Sequence, residues 1–192
     1  MKNGFTIIEV SILFVIFLIV AFLVAPLSLD DTLQAKNASK WRRVQTDFEN
    51  IFYSINMQKT SENYDFKSAL SSTLSEEIKS PIKPYKITYY NGTFPSETYR
   101  FTEFFNTYGN ASLAYKLFDE PQDGVLGVLM YDVNGHIGPN AWGKDVFGYN
   151  IYNDKLEPIG KKESINEQKL DCSKNGTGLY CSNYYLIGGG FN

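Results

Sequence analysis

The sequence has little of the chemistry that common enzymes depend on. Among 192 residues it contains one histidine, His136, and two cysteines. It also lacks Gly-x-Ser-x-Gly, His-Glu-x-x-His and a glycine-rich phosphate loop before a helix, the patterns that place a nucleophile, a metal or a phosphate. We therefore expect no catalytic role, and we expect His136 to be a surface residue in a turn.

An excess of positive charge is also missing. The chain has 18 Lys and Arg against 21 Asp and Glu, a net charge of −3. Without a basic field, nucleic acid is not an expected partner. Aromatic residues make up 16% of the chain, which is typical of an ordered, β-rich domain.

Charge is absent altogether between Glu9 and Asp30. The apolar run from Val10 to Leu29 is long enough to cross a bilayer as a helix, and Lys2 before it predicts a cytoplasmic N-terminal tail. A cleaved secretory signal fits poorly, because its basic region precedes a shorter apolar core that is then removed. The carboxylate of Glu9 at the start of such a run is costly unless it has a partner.

The N-terminus carries the pattern Gly-Phe-Thr-x-x-Glu, in which Gly4, Phe5 and Glu9 are the defining positions, and Pro26 stands near the end of the apolar run. In these features the sequence resembles the type IV pilin and type II secretion pseudopilin superfamily. The resemblance implies that a prepilin peptidase cleaves between Gly4 and Phe5 and methylates the new amino group of Phe5. The leader MKNG is short for the family, with Lys2 as its one basic residue.

The resemblance further implies a structural subunit that polymerises through its apolar helix into a pilus or a secretion pseudopilus, with a pseudopilin or minor pilin as the favoured role. Glu9 would pair with the Phe5 ammonium of a neighbour, since a buried charge is tolerable only when it is paired. The implied partners are other subunits, the prepilin peptidase, the inner-membrane assembly platform and the membrane itself. The implied location is the bacterial inner membrane, with the C-terminal domain outside the cytoplasm, and then the filament. The alternative is an uncleaved, signal-anchored binding module that keeps residues 1–4.

The predicted fold is α+β, with a long N-terminal helix packed on an antiparallel sheet, as in pilins. We expect a leader over 1–4, a transmembrane and assembly helix over 5–29, an amphipathic continuation over 30–60 and an extracytoplasmic head over 61–192. Pro26 or Asp30 and Asp31 are places where the helix could be interrupted. The helical period past Pro26 predicts one apolar face, made of Leu33, Trp41, Val44, Phe48, Ile51, Phe52 and Ile55.

The head shows one helix signal followed by strand signals. A short helix is predicted from Phe66 to Ile78 and strands on both sides of the turn dipeptide Asn91-Gly92. Further strands are predicted at 111–118 and in VLGVLMYDV and DVFGYNIY, and the ending YYLIGGGFN suggests a last strand.

The loop YDVNGHIGPNAWGKDVF collects Asp132, Asn134, Asn140 and Asp145 between glycines. Two readings remain open for these residues. Their oxygens suit calcium, which some pseudopilins hold in a loop of the β-region, although the full EF-hand pattern is absent. Alternatively, the side chains hydrogen-bond their own backbone and stiffen a turn. No cofactor other than calcium is suggested.

The cysteines, Cys172 and Cys181, enclose a short loop near the C-terminus. In an exported chain they are expected to form a disulfide, and pilins commonly carry such a C-terminal disulfide loop. The alternatives are a redox pair or a metal site, but zinc would need two more ligands and His136 is the one histidine.

Overall fold

The computed structural model describes residues 7–57, 68–69, 72–73 and 80–190. Its first element is a helix of 51 residues, α1 (Ile7–Met57). This segment contains no glycine and one proline, so little in it opposes a helix. The backbone is helical through Pro26, Asp30 and Asp31, and these residues therefore do not end α1.

The chain divides into two compact units, Met1–Lys36 and Asn37–Asn192, with the boundary inside α1. The first unit, as far as the structure describes it, consists of α1 residues. The second unit contains the rest of α1 and an α+β fold with a six-stranded sheet.

The sheet is an antiparallel meander with its strands in sequence order. The strands are β1 (Ser80–Ile82), β2 (Phe104–Asn106), β3 (Ser112–Gln122), β4 (Val125–Asp132), β5 (Val146–Ile151) and β6 (Leu156–Pro158). The long β3, β4 and β5 form its centre. Each edge strand is three residues long and contains a proline, which limits pairing with another sheet.

Alternation along the strands divides the core into two layers. On one face Trp41 of α1 stacks on Phe147, with ring centroids 5.1 Å apart, and contacts Tyr149 at 4.9 Å. Phe48, Phe52 and Ile55 of α1 are buried in the same cluster. The other face buries the alternate residues of the central strands under loop side chains, namely Ala114, Val128, Met130, Val146, Ile87, Phe104, Trp142 and Ile159.

Two short helices follow the sheet, α2 (Ile165–Asp171) and α3 (Cys181–Tyr184). Ser164 caps α2 by accepting a hydrogen bond from the Glu167 backbone N–H, and the Glu167 side chain bonds back to Ser164. This reciprocal arrangement satisfies two donors at the helix start. α3 is held against α1 because the Trp41 indole N–H donates to the Ser182 carbonyl at 2.8 Å.

Several predictions from the sequence are confirmed. The fold is α+β with an antiparallel sheet, and the three central strands lie where β-forming residues predicted them. The buried face of α1 includes the predicted Trp41, Phe48, Phe52 and Ile55, whereas Leu33 is 40% exposed. The predicted helix from Phe66 to Ile78 lies largely outside the described residues, of which 68–69 and 72–73 are helical.

Two strand predictions are wrong. The Asn91-Gly92 turn forms, but its flanks do not join the sheet, because Thr88 exchanges hydrogen bonds with the 140–142 backbone and the Tyr90 N–H donates to Thr177. The ending YYL is helical or turned rather than extended, since the N–H groups of Tyr184 and Tyr185 donate to carbonyls four residues earlier. In the first place, contacts distant in sequence override a local β preference. In the second, Trp41 and Arg42 of α1 donate to the Ser182 and Tyr185 carbonyls and hold the turns against α1.

Candidate functional site

The first candidate site is the apolar part of α1 in the first unit. The large apolar side chains from Ile7 to Phe22 are 42% to 86% exposed on every side of the helix. A helix that is apolar all round is normally covered by protein or lipid. Glu9 lies on this helix and is exposed, and two residues later the Ser11 hydroxyl donates to the Ile7 carbonyl at 2.9 Å.

Of the other residues predicted from the N-terminal pattern, the structure describes Pro26. Gly4 and Phe5 lie outside the described residues, so the cleavage and methylation positions stay predictions. Pro26 lies in helical backbone. Within the part of the chain that the structure describes, no helix meets both the length and the hydropathy expected of a membrane-crossing segment.

The second candidate site is the loop between β4 and β5, where Asp132 ends one strand and Asp145 precedes the next. Both side chains are 0% exposed. The Tyr85 hydroxyl donates to Asp132 Oδ2 at 2.8 Å, and the Asn134 backbone N–H donates to Asp132 Oδ1 at 3.1 Å. The backbone N–H groups of Asn140 and Ala141 donate to Asp145 Oδ2 and Oδ1 at 2.9 and 2.8 Å.

Burial changes the acidity of this pair. Desolvation, with the nearby Asp145 charge second, raises the pKa of Asp132 to about 8. Desolvation also raises the pKa of Asp145, and burial beside Asp132 raises the pKa of the Tyr85 hydroxyl. Near neutral pH Asp132 therefore carries a proton in a substantial fraction of molecules.

The two asparagines brace the same loop. The Asn134 amide nitrogen donates to the Gly138 carbonyl at 3.4 Å, and that of Asn140 donates to the His136 carbonyl at 3.4 Å. Their amide oxygens, Asn134 Oδ1 and Asn140 Oδ1, are buried and accept no hydrogen bond within the described chain. His136 itself is exposed, as predicted.

All four predicted calcium ligands are thus in one loop, with two carboxylates and two unpaired amide oxygens. The donor set fits calcium in chemical type. The hydrogen bonds also match the alternative reading, in which the carboxylates hold the turn. Among the described residues no group of three or more His, Cys, Asp or Glu is arranged to hold a metal. Calcium binding here stays a prediction.

The cysteines form the predicted disulfide between Cys172 and Cys181, and both are buried. Asp171 organises the enclosed loop, because its carboxylate accepts from the Thr177 and Tyr180 backbone N–H groups at 2.7 and 2.9 Å. The disulfide also touches the β4–β5 loop. A Cβ at Gly143, where φ is +80°, would lie 2.5 Å from Cys181 Sγ, so only glycine fits there.

A groove of about 440 Å³ lies in the second unit between α1 and the sheet. We call it the α1–sheet groove. The Lys40 ammonium at its rim donates to the Val133 carbonyl at 3.0 Å, and Arg43 beside it is exposed. The lining residues are Lys40, Arg43, Val44, Asp47, Phe48, Ile51, Thr107, Gly109, Ala111, Leu113, Tyr131 and Val133.

Sequence reasoning missed three of these features. The sequence does not predict that the Arg42 Nε donates to the Tyr185 carbonyl at 2.7 Å, although Arg42 itself is exposed. Tyr85 and Asp171 were not singled out. Tyr85 bonds to Asp132, which lies 47 residues away in the sequence, and no local pattern indicates this contact. Asp171 bonds within its own turn, and an Asp preceding a glycine-containing loop is a local signal for such a bond.

Comparison with known proteins adds no relative. No protein-family model, no curated protein and no solved structure matches the chain. Function must therefore be argued from the residues themselves.

Proposed function

We propose that the protein is a structural, non-catalytic subunit of a type IV pilus-like filament or a type II secretion pseudopilus, with a pseudopilin or minor pilin as the favoured role. The observation that carries the proposal is the combination of Gly-Phe-Thr-x-x-Glu at residues 4–9 with the exposed apolar side chains that follow on α1. In the proposal, prepilin peptidase cleaves after Gly4 and methylates Phe5. The chain then leaves the inner membrane for the filament through the assembly platform.

The chemistry of Glu9 supports this role. A carboxylate among apolar side chains costs several kcal/mol when it is removed from water without a partner. The N-terminal ammonium that cleavage creates on Phe5 of a neighbouring subunit supplies the opposite charge. Only one axial register brings the two together, and a mismatch leaves both charges unpaired.

The separation of roles along the chain also supports the proposal. Core residues of the second unit such as Trp41 and Phe147 are fully buried by their own chain. The apolar side chains of Ile7 to Phe22 are left for neighbours or lipid to cover. Such a division suits a subunit whose N-terminal helix assembles while its head stays folded.

The decisive experiment is mass analysis of the intact protein from its native membrane, in cells with and without prepilin peptidase. We expect a methylated chain beginning at Phe5 in the first case and a chain beginning at Met1 in the second. If both chains begin at Met1, the proposal fails and the signal-anchored module becomes the better reading.

A further inference from the structure

The hairpin between β3 and β4 ends in an acidic tip, which we define as residues 119–124. Asp123 and Gly124 have φ values of 50° and 78°, and Gln122 pairs with Val125 across them, as in the tight turns that match the twist of a hairpin. Asp119, Glu120 and Asp123 are all exposed. Of these carboxylates, Asp123 lies near Lys162, whereas Asp119 and Glu120 make no hydrogen bond or ion pair with the rest of the described chain.

The α1–sheet groove has the complementary charge. Lys40 and Arg43 lie at its rim, and Asp47 is the one carboxylate among the residues that line it. Arg43 makes no hydrogen bond or ion pair to another described residue, so its guanidinium is available to a carboxylate from outside. Apolar side chains, including Phe48 and Leu113, form the floor. The groove thus combines an apolar surface with a cationic edge.

The tip and the groove lie at opposite ends of the same two strands. Leu113 and Tyr131 line the groove and are paired across β3 and β4, whereas Glu120 belongs to the tip. β3 pairs regularly with β4 from Ser112 to Leu117, and the register then shifts before Gln122. The regular step from Leu113 to Leu117 alone spans about 13 Å at 3.3 Å per residue, and the tip lies beyond it. The tip therefore cannot reach the groove of its own chain.

We propose that the acidic tip of one copy binds the α1–sheet groove of a second copy, with Glu120 and Asp119 facing Arg43. Because the two surfaces differ, the contact is heterologous, and each bound copy offers a new tip and a new groove. Contacts of this kind build open arrays unless the rotation closes a ring. The inference rests on the proposed filament function. It adds a contact between the head domains of two subunits to the contacts that the apolar helices make.

The test uses cross-linking of full-length chains in native cells. Two copies with different tags are co-expressed, one carrying Arg43→Cys and the other Glu120→Cys, and treated with a short bis-maleimide. The native cysteines are joined to each other, so only the new thiols react. The matched control replaces Arg43→Cys with Lys169→Cys, an exposed cation outside the groove. We expect about tenfold more mixed dimer than in the control, falling as salt is raised.

A charge exchange tests the same contact without cysteine. Arg43→Glu should reduce the pelletable polymer several-fold, and adding Glu120→Arg should restore it, since the pair is then reversed in sign. A role of Arg43 in folding alone would not be rescued in this way. Failure of the second substitution to restore polymer would overturn the proposal.

The same samples are analysed for their N-terminus and for pelletable polymer, which separates the two proposals. Control-level cross-linking in chains that start at Phe5 and form polymer overturns the tip–groove contact and leaves the filament function standing. Strong mixed dimer in chains that start at Met1 and form no polymer supports the contact and removes the filament function. If Arg43→Cys forms cross-links only with other proteins, the occupant of the groove is not a second copy and the proposal is overturned.

Discussion

The two units of the chain use apolar residues in opposite ways. In the first unit, the large apolar side chains from Ile7 to Phe22 are at least 42% exposed, whereas in the second unit Trp41, Leu129 and Phe147 are 0% exposed. Apolar surface that a chain leaves uncovered provides no folding energy to that chain, but it can be buried later against other molecules. The comparison teaches that hydrophobic burial stabilises the fold of one unit, whereas the apolar side chains of the other remain available for contact with other molecules.

The largest expected effect is on association, and it comes from Glu9→Val. We expect at least about a hundredfold loss of polymer, because the neighbour's N-terminal ammonium would be buried without its partner. The measurement is the amount of chain in the pelletable fraction. Ser11→Val, which also removes a polar group from this helix, is the control and should assemble. Normal polymer from the Glu9 variant would contradict the proposed pairing.

The second prediction addresses folding in the second unit. Trp41→Ala should lower the free energy of unfolding by about 3–5 kcal/mol, since it opens a cavity beside Phe147 and leaves the Ser182 carbonyl without its donor. Denaturant unfolding of the full chain in detergent, followed by circular dichroism, measures it. Tyr53→Ala, at a side chain 67% exposed, should change stability by less than about 0.5 kcal/mol. Equal effects of the two would remove the contrast between buried and exposed rings.

The third prediction concerns the disulfide, which spans a sequence separation of 9 residues. Replacing both Cys172 and Cys181 by Ser should lower the free energy of unfolding by about 2–3 kcal/mol, because the unfolded chain gains freedom. Reducing agent added to the wild-type chain should produce a shift of similar size and leave the variant unchanged. An unaffected wild-type chain would show that the cross-link contributes little.

The fourth prediction uses the buried carboxyl of Asp132, whose pKa of about 8 exceeds its ordinary value of 3.8. Between these values the folded chain keeps a proton that the unfolded chain has released. Stability should therefore fall as pH rises from about 4 to about 8, by up to about 1.4 kcal/mol per pH unit, and then level off. Asp132→Asn should reduce this slope and leave the part that the raised pKa of Asp145 contributes, whereas Asp119→Asn, at an exposed carboxyl, should preserve it. An unchanged slope in Asp132→Asn would assign the effect to other groups.

The smallest expected effect is that of calcium on the β4–β5 loop. Calcium should raise the melting temperature by a few degrees at pH 8 relative to chelator, because binding to the folded state alone stabilises it. Magnesium, which demands a stricter geometry, is the control and should do less. Identical melting with calcium and with chelator would favour the reading in which Asp132 and Asp145 only hold the turn.

The sequence predicted the central strands and the buried face of α1 because each has a local signal. β3, β4 and β5 contain runs of β-branched and aromatic residues, and Trp41, Phe48 and Phe52 recur at helical spacing. It also placed the four oxygen-bearing residues of the β4–β5 loop together. It could not predict that Asp132 and Asp145 are fully buried, because their burial depends on Tyr85 and on the loop that carries it.

The sequence by itself determined the N-terminal motif, the extent of the apolar run and the pairing of its only two cysteines. These depend on residue identity within short stretches, where neighbouring side chains and chain length decide the outcome. Only the tertiary structure decided that residues near Tyr184 form a helix rather than a strand, that the acidity of Asp132 is shifted, and that a groove with Arg43 at its rim opens at one end of β3 and β4. Each of these arises from groups distant in sequence that share one small volume, where desolvation and packing outweigh local preference.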